Sequence, residues 1–146
     1  MKREIKFRAK SVETDEWIEG YYVQLAGFDY IVPFNSSFRH ILDADFEDAF
    51  EEVDAKTLSQ WIGLRDKNGV DIYDGDEFQY RKHEGYILPD FTGEIIFMAG
   101  CFGYVAASEN MGEAFHPFSE VGELQADFLD HIEVIGNIHD NPELLK

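Results

Sequence analysis

The chain has 146 residues, 45% of them hydrophobic and 15% aromatic, enough for a packed core and incompatible with global disorder. Thirty Asp and Glu against twelve Lys and Arg give a formal net charge of −18. A field of that sign repels phosphate backbones and argues against non-specific nucleic-acid binding, while it suits a basic protein partner, a metal or plain solubility.

The charge is unevenly placed. Lys2, Arg3, Lys6, Arg8 and Lys10 make the N-terminus locally positive, whereas no Lys or Arg occurs from His83 to Leu145. The block DADFEDAFEEVD at 43–54 holds seven acids and no base, so it must face water, a cation or a basic partner. The single cysteine, Cys101, cannot form an internal disulfide and is compatible with a reducing compartment. No apolar run approaches the ~20 residues of a membrane span, and the N-terminus lacks the apolar core of a secretion signal. The expected location is the cytoplasm.

In chain order, EIKFRAK at 4–10 alternates as a strand, with Ile5, Phe7 and Ala9 on one face. VETDEW supplies turn residues and WIEGYYVQLAG returns as a second strand, which predicts an N-terminal β-hairpin. IVPFNSSF reads as a short third strand, with Pro33 demoting it to an edge or an irregular segment. The block Asp43–Val53 fits either a helix or a loop, with Phe46 and Phe50 four apart as anchors. DAKTLSQWIGL predicts a short helical turn capped by Asp54, with Leu58, Trp61 and Ile62 inward and Gly63 at its end. EFQYRK is a strand, and GEIIFMAG with CFGYVAA reads as a hairpin closed at Ala99-Gly100. SEVGELQADFLDH predicts a helix with Ser119 as cap and Val121, Leu124, Phe128 and Leu129 as its stripe. IEVIGNIHD is a last strand and NPELL a terminal turn. The expected class is α+β, mostly antiparallel β.

The stretch GLRDKNGVDIYDGDEF at 63–78 invites a metal or catalytic reading, because Asp66, Asp71, Asp74, Asp76 and Glu77 crowd into it. As a calcium loop starting at Asp66 it has Asn68 and Glu77 well placed. It fails at the next ligand position, held by Val70, and where the sharp turn requires glycine it has Asp71. Turns explain more: Asp66-Lys67-Asn68-Gly69 and Asp74-Gly75 are strong turn sequences separated by core-forming Ile72 and Tyr73.

Elsewhere, His40, His83, His116, His131 and His139 are widely spaced and make no metal-ligand motif. GCFGY at 100–104 lacks the lysine and spacing of a phosphate loop, so its glycines read as hairpin residues. Phe97, Phe102 and Tyr104 have no nearby cation to hold a nucleic-acid backbone and read as core packing. No catalytic, cofactor-binding or metal residue is assigned, and no cofactor is expected.

REIKFRAK at 3–10, TLSQWIGLRDKNGVDIYDGDEF at 57–78, GEIIFMAGCFGY at 93–104 and IEVIGNIHDNPELL at 132–145 together resemble the YopX family of small phage and prophage proteins, in order and spacing. The chain departs from the family pattern at Lys10, where Trp is frequent, and at Trp61-Ile62, where Tyr-Thr is frequent. Gly63, Asp66, Gly69, Gly75 and Asp76 are kept. The resemblance implies mixed β structure, late strands closing a small SH3-like barrel, and assembly into homo-oligomers. It carries over no enzymatic reaction.

These readings predict a hairpin and acidic variable segment over residues 1–56 and an SH3-like β-rich region with one helix over 57–146. The expected function is that of a non-enzymatic phage or prophage accessory protein, homo-oligomeric and acting through protein contacts, with a basic host or phage protein as a further partner. The alternatives are an acidic inhibitor that imitates nucleic acid against a host DNA-binding protein, a carboxylate metal-dependent enzyme using the 66–77 acids, and direct nucleic-acid binding by the basic hairpin.

Overall fold

The computed structural model describes residues 3–34, 49–85, 88–107, 114–118 and 128–145. The chain divides into two units, Met1–Trp61 and Ile62–Lys146.

In the first unit, β1 (Phe7–Lys10) and β2 (Trp17–Leu25) form the expected hairpin, with Phe7 opposite Gly20 and Lys10 opposite Trp17. Ser11 builds the turn, its Oγ accepting from the backbone N–H groups of Glu13 and Thr14. β2 returns through Ala26-Gly27, both at positive φ, into β3 (Phe28–Pro33). β3 is no edge strand, because β4 (Glu51–Glu52) pairs with it at Tyr30 and Ile31. Pro33 is tolerated because it ends the strand.

The helical turn expected at 54–63 is a strand over its second half. Asp54 does cap, accepting from Lys56 N, but the 3-10 turn it opens spans only Ala55–Thr57. Thr57 Oγ1 then takes the Lys10 N–H, which holds the chain beside β1. From there Ser59–Arg65 runs as β5, with Gln60 opposite Phe7. Aromatic and β-branched residues at Trp61 and Ile62 suit this half-buried strand better than a helix. The first unit's core is small: Ala9, Ile31 and Val53, with Phe7, Ile18 and Leu58 against them.

The second unit takes over within β5. A turn at 66–70 leads to β6 (Asp71–Tyr73), the neighbour of β5, and a turn at Asp74-Gly75 to β7 (Asp76–Tyr80). β7 lies in a second, five-stranded sheet with β8 (Phe91–Met98), β9 (Cys101–Ala107), β10 (Phe115–Pro117) and β11 (Ile132–Asn137), in the order β10-β9-β8-β7-β11. All its pairings are antiparallel. The core is aromatic: Phe78, Tyr80, Phe91, Tyr104 and Phe128 pack with Ile72, Ile95 and Ile132.

This arrangement overturns the expected α+β class and the SH3-like barrel. The sheet is open, with β10 and β11 as its two ends, and a barrel requires the end strands to bond each other. Both flanks of β7 are taken by β8 and β11, so the Asp74-Gly75 turn carries the chain from one sheet to the other instead of closing a hairpin. The fold is mostly β, and no α-helix stands among its described elements. Of the helix expected at 119–131, residues 119–127 lie outside the described residues, as do 43–48 of the acidic block. Phe128 and Leu129 are helical, and the terminal turn at Pro142–Leu145 is a 3-10 turn. Among the described residues no helix is long and apolar enough to cross a membrane.

Candidate functional site

The acids of residues 63–78 were the candidates for chemistry, and the fold separates the surroundings of Asp66, Asp71, Asp76 and Glu77. Asp66, 7% exposed, accepts from Asn68 N (2.8 Å) and Val70 N (3.0 Å) through Oδ1, which closes its own turn. Its Oδ2 accepts from Val134 N at 2.9 Å, where β11 bulges between Val134 and Gly136. Lys67 N also donates to Ile132 O, so this one turn is fastened to the last strand. Asp71 pairs with Arg65 Nε at 2.9 Å on the surface. Asp76, 1% exposed, accepts from Tyr73 N at 2.8 Å and braces the next turn. Gly69 and Gly75 take φ of 76° and 87°, conformations that a Cβ disfavours.

Glu77 is different. It is fully buried, and both carboxylate oxygens lack a hydrogen-bond partner. Strand alternation puts it on the face opposite Phe78 and Tyr80, with Glu94 of β8 as its cross-strand partner and Gly136 of β11 on the other side. Burial raises its pKa first of all, and the charges of Glu94 and Glu143 push it further up. Burial also raises Glu94. These acids do not gather as ligands: among the described residues no three His, Cys, Asp or Glu side chains are grouped to hold a metal ion.

Three of the histidines pack against rings. His83 and His131 stack with ring centroids 3.3 Å apart, and His83 Nδ1 lies 3.4 Å from the Tyr80 hydroxyl. His116 stacks on Tyr104. His40 lies outside the described residues. Cys101 is half-buried beside the hairpin turn, its thiol against Met98 O.

The three aromatics read as core have different fates. Tyr104 is buried among core rings and Phe102 packs against them, but Phe97 is 58% exposed. Phe97 and Phe102 face each other across the hairpin in an edge-on contact at 5.0 Å, and Met98, next in the strand and on the other face by alternation, is 44% exposed. The apolar face of the sheet thus continues past its core to the end of the β8–β9 hairpin. Its turn, Ala99-Gly100, has both residues at positive φ.

In the first unit the basic N-terminus lies on its own aromatics. Lys6 Nζ is 4.5 Å from the Trp61 ring centre, and Arg8 and Lys10 flank Trp17 at 4.8 and 5.5 Å. Sequence alone placed these cations near one another without showing what they face.

These features define a two-unit, sheet-dominated protein in which Asp66 and Asp76 hold turns, Glu77 is buried, and apolar side chains are exposed at the end of the β8–β9 hairpin. Over residues 6–146 it matches the family model described as YopX protein, and the chain belongs to the YopX family of phage and prophage proteins. It is similar to protein EF1440 from Enterococcus faecalis, known from a crystal structure, at 27% sequence identity; the match covers 99% of this chain and 100% of that chain with a TM-score of 0.49. No curated protein matches it.

Proposed function

We propose that this is a non-enzymatic accessory protein of the host cytoplasm that works through protein contacts, as an assembly of copies of itself. The apolar end of the β8–β9 hairpin carries this reading, with Phe97 58% exposed next to Phe102 on one face and Met98 44% exposed on the other. Full burial of such side chains contributes about 1.5–3 kcal/mol each. Opposing it, copies with a formal charge of −18 repel one another. Salt screens that repulsion and leaves apolar burial in place. Self-association therefore tightens as salt rises.

Light-scattering mass across protein and salt concentration tests this. The expected result is a multiple of the chain mass, favoured by salt, that falls to a single chain in the Phe97→Ser/Met98→Ser variant. A single-chain mass for the unaltered protein at every concentration would overturn the reading, as would an assembly that the double variant leaves intact.

A further inference from the structure

The first unit contains a groove of about 620 Å³, lined among the described residues by Val12, Leu25, Ala26, Tyr30 and Phe50 with Glu13, Glu51 and Glu52. Three pieces of chain distant in sequence meet to form it. The β1–β2 turn brings Val12 and Glu13, the β2–β3 turn brings Leu25 and Ala26, and β4 brings its two glutamates. Backbone pairing holds them in place: Glu52 lies opposite Tyr30, Val12 N donates to Glu52 O, and Ser11 bridges to Val53. Tyr30 and Phe50 make an edge-on contact at 6.2 Å that forms part of the floor.

Two properties specify an occupant. Val12 and Leu25 are 58% and 48% exposed, so apolar area is available for burial. Among the described residues the lining carries three carboxylates and no cation, and no ion pair engages Glu13, Glu51 or Glu52. The volume lies within the range of small recognition pockets, about 300–1,000 Å³.

We propose that this groove receives a basic segment of a different protein, in which a Lys or Arg meets the glutamates while a neighbouring aromatic or aliphatic side chain enters the apolar floor. A second copy fits poorly: it brings a formal charge of −18 to an acidic groove, its Lys6, Arg8 and Lys10 lie over tryptophan rings, and its Arg65, Lys67 and Arg81 are paired with Asp71, Glu133 and Asp90. The inference rests on the reading that the protein works through contacts, yet it concerns a different surface and a different partner. It also predicts the opposite salt response, since attraction between unlike charges weakens on screening.

The probe is a dye-labelled Arg-Trp-Leu-Lys peptide, with Glu-Trp-Leu-Glu as its acidic counterpart, titrated into the full chain by fluorescence anisotropy. The basic peptide is expected to bind, to weaken with salt, and to lose about tenfold in affinity at low salt against Glu13→Gln/Glu52→Gln. Leu25→Ser, also at an exposed position, should weaken it at every salt concentration. Absence of binding, equal binding of the acidic peptide, or unchanged affinity in both variants would overturn the proposal. Displacement of the peptide by self-assembly would overturn it too, by making a second copy the occupant. The two readings fail separately: Glu13→Gln/Glu52→Gln should keep the assembly mass, and Phe97→Ser/Met98→Ser should keep peptide binding.

Discussion

The two units are both built from antiparallel strands, but they hold those strands together by different means. The second unit buries a stack of rings, in which Phe78 meets Phe91, Tyr104 and Phe128 at 5.6–5.9 Å. The first unit buries only Ala9, Ile31 and Val53 as its central cluster and relies on strand pairing and on cations laid over Trp17 and Trp61. It leaves Ile5, Val12, Tyr21, Leu25, Phe28 and Phe34 exposed. A sheet with so slight a core spends fewer of its apolar side chains on its own stability and presents more of them to a partner. Among its described residues the second unit buries most of its aromatics and leaves Phe97 and Met98 exposed near the end of one hairpin, with Val70, Ile135 and Ile138 exposed elsewhere.

Substitutions can break this comparison, beginning with the largest effect. Phe78→Ala should cost about 3–5 kcal/mol, since the cavity falls among rings that cannot collapse into it. Ile31→Ala, in the slighter core, should cost nearer to about 2 kcal/mol. Denaturant unfolding of both variants decides: equal losses would mean that the first unit's core is as demanding as the second's.

Asp66→Ala removes the acceptor of three backbone N–H groups and should cost about 2–4 kcal/mol. Amide exchange should show the loss at Val70 and Val134 together. Faster exchange at Val70 alone would show that the tie to β11 contributes nothing.

Glu77 sharpens the contrast through pH. Its pKa in the folded protein is raised above the ordinary 4.5 by burial and by Glu94 and Glu143. The folded state therefore holds a proton that the unfolded chain releases. The stability this brings is complete below about pH 4.5 and is lost as pH rises through the raised folded value. Glu77→Gln, neutral throughout, should flatten that decline and gain about 1 kcal/mol at neutral pH, with a residual slope from Glu94. Parallel stability–pH profiles for the two proteins would contradict it. The smallest effect belongs to the hairpin turn: Ala99 stands at φ 54°, and Ala99→Gly should raise stability by about 0.5–1 kcal/mol in thermal unfolding.

Much of the local structure was legible. Alternating apolar residues marked β1, β2, β7, β8, β9 and β11, and Asp-Lys-Asn-Gly at 66–69 marked a turn whose hydrogen bonds are those its side chain favours. β10 carried no comparable signal: three residues, Phe115–Pro117, form a strand because β9 offers an edge. Trp61 and Ile62 fitted a helical stripe equally well until pairing with β1 made them a strand. The groove was not legible, because Glu13 and Glu52 are neighbours only through the register of Tyr30 against Glu52 and the bridge from Ser11 to Val53.

What the sequence determined by itself was the family, the turns and the alternation of most strands, since these depend on a few adjacent residues and their backbone preferences. Tertiary structure decided which strands are neighbours. Alternation specifies a face and says nothing of a partner, so the same β6 and β7 could have closed a barrel or, as here, gone to separate sheets. That choice left Glu77 buried opposite Glu94 and Asp66 tied to the last strand, and the pairing of β3 with β4 in the first unit made an acidic groove between two turns.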